Sequence, residues 1–273
     1  MRTNAVKQAL EAGEVVIGTM IDEVRSPAIA EIFVTAGFDF FFIDMEHGAY
    51  DLITAADIMK AARLAGITPL VRVPDARYHP KGRILDSGAL GLMLPRVRTY
   101  NEVEEFVAEV KYPPLGCRGC FVTGANNDYA PQSTDTFIEE ANQETLVIVQ
   151  VELEEAIENI DAILSVSGVD VAMLGLGDLS VSLGVPGQSK HAKVVEAADR
   201  VIEACNRHSI VPAIHLGNTE ALVEWMHKGV RMITWSTDIW MLLNSGRDAV
   251  RRLRSGMAKL GTSVRASEGG TGQ

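Results

Sequence analysis

Residues 38–44 have the sequence FDFFFID, an apolar run of strand length that ends in a carboxylate. The apolar side chains are continuous and do not alternate with polar ones, which is typical of a parallel strand covered on both faces. Helical patterns flank this run at residues 26–35 and 51–64, and Gly37 and Gly66 follow them where a left-handed C-cap is expected. The segment therefore predicts one strand of a β–α repeat.

The same alternation continues along the chain. We predict further strands at residues 15–19, 68–73, 91–95, 146–151, 169–174, 211–214 and 232–235. The remaining helical patterns cover residues 80–87, 101–111, 154–164, 190–207, 219–228 and 242–259. About eight β–α units in one uninterrupted series predict a single (β/α)₈ barrel, the TIM barrel, over residues 1–259, with a doubly wound open sheet as the alternative.

Two segments depart from the repeat. Residues 112–144 are rich in Gly, Pro, Asn and Asp and show no clear periodicity. A loop of this length in a compact domain is usually a functional lid or a partner contact. Residues 260–273 end in GGTGQ and are expected to form a disordered tail.

Composition excludes several classes of protein. The net charge of −11 argues against nucleic-acid binding, which needs a basic face. No apolar run approaches the roughly 18 residues of a membrane span, and the first residues lack the apolar core of a signal peptide, so we expect a cytoplasmic location. Cys117 and Cys120 have CxxC spacing, but no second such pair or histidine pair completes a zinc site. We expect these two and Cys205 to be ordinary reduced thiols.

Polar side chains stand at the carboxyl ends of four predicted strands. They are Asp44, Glu46 and His47 after the second strand, Arg72 at the third, Gln150 and Glu152 at the fifth, and Asp178 after the sixth. In a (β/α)₈ barrel these ends meet at one mouth, and active sites lie there. Their convergence indicates an enzyme.

Each of these residues also has a structural explanation when it is taken alone. Glu152 could stabilise a helix dipole, Asp178 could be a helix N-cap, and His47 could be a structural histidine. Asp44 or Glu46 could hold Arg72 in a buried ion pair. Their common position at the carboxyl end of the barrel favours a functional role for Glu152, Asp178, Arg72 and His47. For Asp44 and Glu46 two roles stay open: direct participation in the reaction, or support of the residues that carry it out.

Two carboxylates suit a hard divalent cation, Mg²⁺ or Mn²⁺ in the first place, with water and substrate oxygens completing its shell. Beside Asp178, the turn formed by Gly175, Leu176 and Gly177 leaves backbone N–H groups free to bind a carboxylate. The turn departs from a dinucleotide fingerprint because Ser180 stands where the third glycine belongs. The lysines fall in predicted helices or loops, which favours metal over Schiff-base chemistry.

At these positions the chain resembles the HpcH/HpaI family of class II pyruvate aldolases. The resemblance extends over about residues 4–253 and is carried by six segments in the same order: FFIDMEHG at 41–48, LVRVP at 70–74, ILDSGA at 84–89, YPPLGCRG at 112–119, VQVE at 149–152 and GLGDLS at 175–180. It implies reversible cleavage of a 4-hydroxy-2-oxo acid to pyruvate and an aldehyde.

The resemblance also implies individual roles. Glu152 and Asp178 match the metal ligands, for which Mg²⁺ or Mn²⁺ is expected and Co²⁺ or Zn²⁺ are alternatives. Arg72 matches the residue that contacts the keto oxygen, His47 matches the catalytic base, and Asp86 matches the acidic partner of that histidine. Gln150 matches a substrate contact, and the Gly177 and Asp178 amides match the groups that bind the substrate carboxylate. A homohexamer is implied too, with residues near 238–243 buried between subunits.

Some features depart from the family pattern. The proline usual before the metal-binding aspartate is missing, Trp235 and Trp240 stand where small residues are usual, and the segment 121–143 differs. These departures concern substrate choice more than chemistry. Oxaloacetate decarboxylation or another reaction of a pyruvate enolate is the alternative activity, and a non-catalytic barrel that binds a keto acid is the alternative outside enzymes.

Overall fold

The structure is a computed structural model that describes residues 2–74 and 78–259. Within them, eight parallel strands pair in chain order and the last pairs with the first, so the sheet closes into a barrel. This confirms the predicted (β/α)₈ barrel over the open sheet. The strands are β1 (Val16–Ile21), β2 (Phe40–Asp44), β3 (Thr68–Arg72), β4 (Gly91–Leu94), β5 (Leu146–Val151), β6 (Val171–Leu174), β7 (Val211–Leu216) and β8 (Met232–Thr237).

The helices lie outside the barrel or close its ends. They are α1 (Ala5–Glu11), α2 (Ile29–Ala36), α3 (Leu52–Ala65), α4 (Tyr78–Asp86), α5 (Tyr100–Val110), α6 (Thr134–Glu144), α7 (Glu154–Glu158), α8 (Ile160–Leu164), α9 (Leu176–Ser182), α10 (Ala192–His208), α11 (Thr219–His227) and α12 (Asp238–Lys259). Among the described residues, no helix is both long and apolar enough to cross a bilayer. The tail expected at 260–273 lies outside the described residues.

Two apolar layers explain the unbroken apolar strands. Phe40 and Phe42 belong to the cluster inside the barrel, whereas Phe41 and Ile43 belong to the cluster between strands and helices. Because side chains alternate along a strand, the next inward position on β2 is Asp44. Its register partner on β3 is Arg72, so both charged groups enter the barrel at its carboxyl end.

The long segment at 112–144 is more regular than expected. It contains a short 3₁₀ turn at Ala125–Asn127 and the helix α6, which the sequence pattern did not predict. In α6 only Phe137 and Ala141 are buried, and two residues are too few to produce an amphipathic stripe. The predicted helix at 154–164 is divided into α7 and α8 at Asn159.

The last helix begins earlier than the predicted residue 242, directly at the end of β8. Asp238 is 3% exposed, and its carboxylate accepts hydrogen bonds from the backbone N–H groups of Asp22, Glu23 and Val24. It therefore ties the start of α12 to the loop that follows β1. Beyond it α12 carries exposed apolar side chains, with Trp240 51%, Leu242 70% and Leu253 68% exposed.

The two unusual tryptophans have different surroundings. Trp235 stacks on Phe38, with ring centroids 6.3 Å apart, and its Nε1 donates to the carbonyl oxygen of Gly217 at 3.2 Å. It thus packs on the outer side of β8. Trp240 lies half-exposed on α12.

Candidate active site

A cavity of about 460 Å³ opens at the carboxyl ends of the strands. The predicted residues that line it are Asp44, His47, Arg72, Gln150, Glu152, Gly177 and Asp178. Side chains that are distant in the sequence therefore meet where the fold places active sites.

Arg72 and Asp44 form a buried pair on the wall of this cavity. The Arg72 Nε lies 2.8 Å from Asp44 Oδ1 and Nη2 lies 2.5 Å from Oδ2, which is a bidentate arrangement. Burial alone would raise the pKa of Asp44, but hydrogen bonding and the charge of Arg72 outweigh it and lower that pKa. Nη1 remains for other contacts and lies 3.4 Å from Gln150 Oε1 and 3.2 Å from Glu46 Oε2. Asp44 thus fixes the guanidinium plane.

Asp44 also shapes the turn that carries His47. Its Oδ1 accepts from the backbone N–H groups of Glu46 and His47, at 3.0 and 3.4 Å. Gly48 completes the turn, since a Cβ there would lie 2.3 Å from the Asp44 carbonyl oxygen. The His47 side chain is 69% exposed, and its Nε2 lies 3.9 Å from Glu46 Oε2. His47 therefore stands at the rim, where it can exchange protons with substrate and solvent.

Glu152 is a buried carboxylate with fixed partners. It is 2% exposed and accepts from the backbone N–H of Arg96 at 3.0 Å and from Gln150 Nε2 at 2.7 Å. Burial, and then the charges of Asp178 and Glu46, raise its pKa to about 7. Gly175 packs directly on it, because a Cβ at this position would lie 2.5 Å from Glu152 Oε2.

The carboxylate of Asp178 is the second acidic group, on the first turn of α9. Its side chain is 53% exposed and lies 3.6 Å from the Arg96 guanidinium. In the described residues no group of three or more His, Cys, Asp or Glu could hold a metal ion. The pKa of Glu152 is raised first by burial and then by the charge of Asp178. A buried carboxylate with a second carboxylate nearby fits a divalent cation that takes two protein oxygens and keeps water or substrate in the other positions.

The stability of the metal-free protein should depend on the Glu152 proton. Its folded pKa of about 7 exceeds the ordinary 4.5, so its contribution to stability is fully present below pH 4.5 and is lost as the pH rises through 7. The loss corresponds to about 3 kcal/mol of unfolding free energy. Urea unfolding at pH 5.5 and 8 should show about 2 kcal/mol of this loss in the wild type and none in Glu152→Gln, and Mg²⁺ should reverse it. Equal pH dependence in the two proteins would contradict the assignment.

Asp86 takes part in a different network. Its Oδ1 lies 2.7 Å from Arg118 Nη2 and 3.4 Å from Asn126 Nδ2, and Arg118 stacks over Tyr112 at 4.5 Å from the ring centroid. These bonds fix the segment after α5 against α4. Asp86 is not among the residues that line the cavity. Its partnership with His47 stays a prediction.

The sequence reasoning missed His215, which also lines the cavity. The predicted strand ended at Ile214, whereas β7 continues to Leu216 and turns His215 inward. Burial, and then the positive charge of Arg72, lower the pKa of His215 to about 4, so the imidazole is neutral at pH 7.

Among the described residues no lysine lines the cavity. The buried Lys111 donates to the carbonyl oxygens of Asn142 and Thr145, and the buried Lys81 pairs with Glu109. Neither lysine lines the cavity. The three cysteines are free and do not line the cavity.

Comparison with known proteins gives one consistent result. The family model described as HpcH/HpaI aldolase/citrate lyase matches residues 23–245. A hydroxypyruvate/pyruvate aldolase of Roseobacter denitrificans is 32% identical, over 93% of this chain and 98% of the relative. A 2-keto-3-deoxy-L-rhamnonate aldolase of Klebsiella pneumoniae is 32% identical, over 82% of this chain and 84% of the relative.

A solved structure supports the same relationship. The HpcH/HpaI aldolase of Desulfitobacterium hafniense superposes with a TM-score of 0.88 at 36% identity, covering 91% of this chain and 96% of that one. The similarity therefore includes nearly the whole barrel.

Proposed function

Since the chain belongs to the HpcH/HpaI aldolase/citrate lyase family, it is a carbon–carbon lyase, and we propose that it reversibly cleaves a 4-hydroxy-2-oxo acid to an aldehyde and a short 2-oxo acid. Pyruvate or its 3-hydroxy analogue is the proposed 2-oxo acid. One observation carries the proposal: a buried carboxylate beside a second carboxylate shares one cavity with a rigidly held arginine.

Class II aldolases of this family depend on a metal. We propose that Glu152 and Asp178 hold it and that it is Mg²⁺ or Mn²⁺, since both ligands are hard carboxylate oxygens. When bound, such a cation supplies a Lewis acid for the negative charge that develops on the keto oxygen.

The protein groups supply the remaining steps. Arg72 adds a preorganised positive charge beside the keto oxygen, and Asp44 prevents its guanidinium from turning away. Gln150 stands between Arg72 and Glu152 and orients both through its amide. The backbone N–H groups of Gly177 and Asp178 are proposed to hold the substrate carboxylate. His47 takes the proton of the 4-hydroxyl during cleavage and returns it during synthesis.

The proposed activity is tested by incubating the protein with pyruvate and a panel of aldehydes. We expect a condensation product when Mg²⁺ or Mn²⁺ is present, none after chelation, and full recovery when the metal is restored. Full turnover in metal-free protein, or no product with any aldehyde, would refute the proposal.

Replacement of His47 by alanine should separate two half-reactions. Aldol cleavage should fall by about 100-fold or more, because the 4-hydroxyl loses its base. Exchange of the pyruvate methyl protons in D₂O should change far less, because solvent can take the proton while Arg72 still stabilises the enolate. The control is His208→Ala, since His208 pairs with Asp161 outside the cavity. Equal losses in cleavage and exchange would show that the assigned role is wrong.

We also propose a homohexamer in which the exposed apolar face of α12 is covered by another subunit. Leu242, Leu243 and Val250 line an open groove on this helix, and such a patch is large for a monomer. Light scattering at micromolar concentration should give about six times the chain mass of 29.6 kDa. A fully active protein with the mass of one chain would contradict the proposal.

A further inference from the structure

Two further acidic residues line the cavity, and both directly follow β1. They are Asp22, which is partly buried, and Glu23, which is exposed. Their backbone N–H groups donate to the carboxylate of the buried Asp238 at the start of α12. These bonds hold the loop in place, so that Asp22 and Glu23 form a fixed acidic wall of the cavity.

The acidic wall differs from the other carboxylates of the cavity in having no positive partner. Asp44 is bound by Arg72 through two hydrogen bonds. Glu152 and Asp178 are the proposed ligands of a divalent cation. Within the described residues, no basic side chain forms an ion pair with the acidic wall. Its negative charge is therefore available to a group of the substrate.

The surroundings of the acidic wall favour a positive charge there. Burial, and then the charges of Asp44 and Asp238, raise the pKa of Asp22. Arg72 is the only arginine or lysine among the described residues that line the cavity, and its guanidinium is already bound to Asp44. A cationic group of the substrate would relieve the crowding of negative charge, whereas an anionic group would add to it.

The acidic wall lies beside the group proposed to act on the 4-hydroxyl. His47 stands on the turn after β2, and β2 pairs with β1. At Gly48 in that turn, a Cβ would lie 2.9 Å from the Asp22 carbonyl oxygen, so the turn and the loop after β1 are in contact. The 2-oxo acid end of the substrate is proposed to lie at Arg72 and the Asp178 amide. Carbon 4 then faces His47, and the aldehyde-derived part extends from there along the acidic wall.

We propose that Asp22 and Glu23 select the aldehyde, so that an aldehyde carrying a cationic nitrogen is favoured over one carrying a carboxylate. The inference rests on the proposed function and names the chemical class of its second substrate. A carboxylate in the same place would meet two like charges, which opposes its binding.

The test compares three aldehydes of the form X–CH₂–CH₂–CHO, in which X is an ammonium group (3-aminopropanal), a methyl group (butanal) or a carboxylate (succinic semialdehyde). Values of kcat/KM are measured for condensation with saturating pyruvate and Mg²⁺, after the rate without protein is subtracted. In the wild type, each step from ammonium to methyl to carboxylate should lower kcat/KM by about tenfold, because two carboxylates act on one charge in a partly buried place.

Three variants assign the effect to the acidic wall. Asp22→Asn combined with Glu23→Gln keeps the shape of both side chains and should bring the ratios close to one. Glu23→Lys places a cation at an exposed position and should lower the ratio of 3-aminopropanal to succinic semialdehyde by at least about tenfold. The matched control is Glu155→Gln, which removes a charge outside the cavity and should keep the wild-type ratios.

The possible failures are distinct. Equal kcat/KM for the three aldehydes in the wild type, or unchanged ratios in the double variant, overturns the inference and leaves the aldolase proposal intact. If the double variant does not fold, Glu23→Lys decides, and an unchanged ratio in that variant overturns the inference. The same change of ratios in Glu155→Gln also overturns it, because the effect would then belong to the overall charge of the chain. Absence of metal-dependent condensation with all three aldehydes overturns both proposals.

Discussion

Replacing Glu152 by glutamine is expected to lower kcat/KM by about 1,000-fold or more, because the variant loses a charged oxygen from a two-carboxylate metal site. The substitution preserves the shape of the side chain. The Glu152 carboxylate accepts hydrogen bonds from the Arg96 backbone N–H and from Gln150 Nε2. The glutamine amide has only one oxygen, so its NH₂ group would face one of these two donors. Asp178→Asn should cause a comparable loss at a half-exposed position where the fold is not at risk.

The loss should be accompanied by weaker metal binding. Titration calorimetry with Mn²⁺ should show affinity reduced by at least about tenfold in both variants. The matched control is Glu155→Gln, since Glu155 is half-exposed and pairs with Arg98 outside the cavity. Normal metal affinity together with lost activity would show that Glu152 and Asp178 are not metal ligands and act in catalysis in another way.

Arg72→Lys should reduce kcat by about 100-fold to 1,000-fold, the usual effect of losing one preorganised donor at a developing oxyanion. Arg72 uses Nε and Nη2 to bind Asp44 and directs Nη1 toward Gln150. A lysine ammonium cannot hold Asp44 in two places and also reach the substrate. Near wild-type kcat would place Arg72 outside the chemistry.

The same variant should still fold, because lysine keeps a positive charge beside the buried Asp44. Arg72→Ala should be worse, since it leaves that carboxylate without a partner at a cost of about 3–5 kcal/mol of unfolding free energy. Arg98→Lys is the control, as Arg98 is partly exposed and pairs with Glu102 and Glu155. Thermal melting beside kcat separates the structural role of Arg72 from its catalytic role.

The sequence is informative where a charged side chain stands in a strand that is expected to be buried. A charged residue at the end of an apolar strand must have a reason to be there, so Arg72 and Glu152 were recognised from the pattern, and the structure brings both to one cavity. The sequence allows either Asp44 or Glu46 as the partner of Arg72. The structure shows that Asp44 holds it by two bonds, because the inward positions of β2 and β3 are in register.

The hydrophobic pattern does not identify a single polar residue near the end of an apolar strand. It also does not predict a helix whose apolar stripe is weak. The apolar run predicts a strand only to residue 214, whereas β7 includes His215, and a lone histidine carries no periodic signal. The helix α6 was missed because its buried face is narrow. Asp86 shows a different limit: its pairing with Arg118 joins residues 32 apart through a segment without a repeat, and spacing alone does not determine such contacts.

The bonds from Asp238 to the loop after β1 connect the start of α12 with the cavity. That loop contributes Asp22 and Glu23 to the cavity, and Ile239, next to Asp238, lines it as well. In the proposed hexamer α12 would carry the contact between subunits, and thermodynamic linkage is reciprocal. A substrate that favours the same arrangement of this loop as association does would then strengthen that association by the factor by which association strengthens substrate binding. Dilution of the assembly would then weaken substrate affinity, and saturating substrate would protect the assembly from dilution.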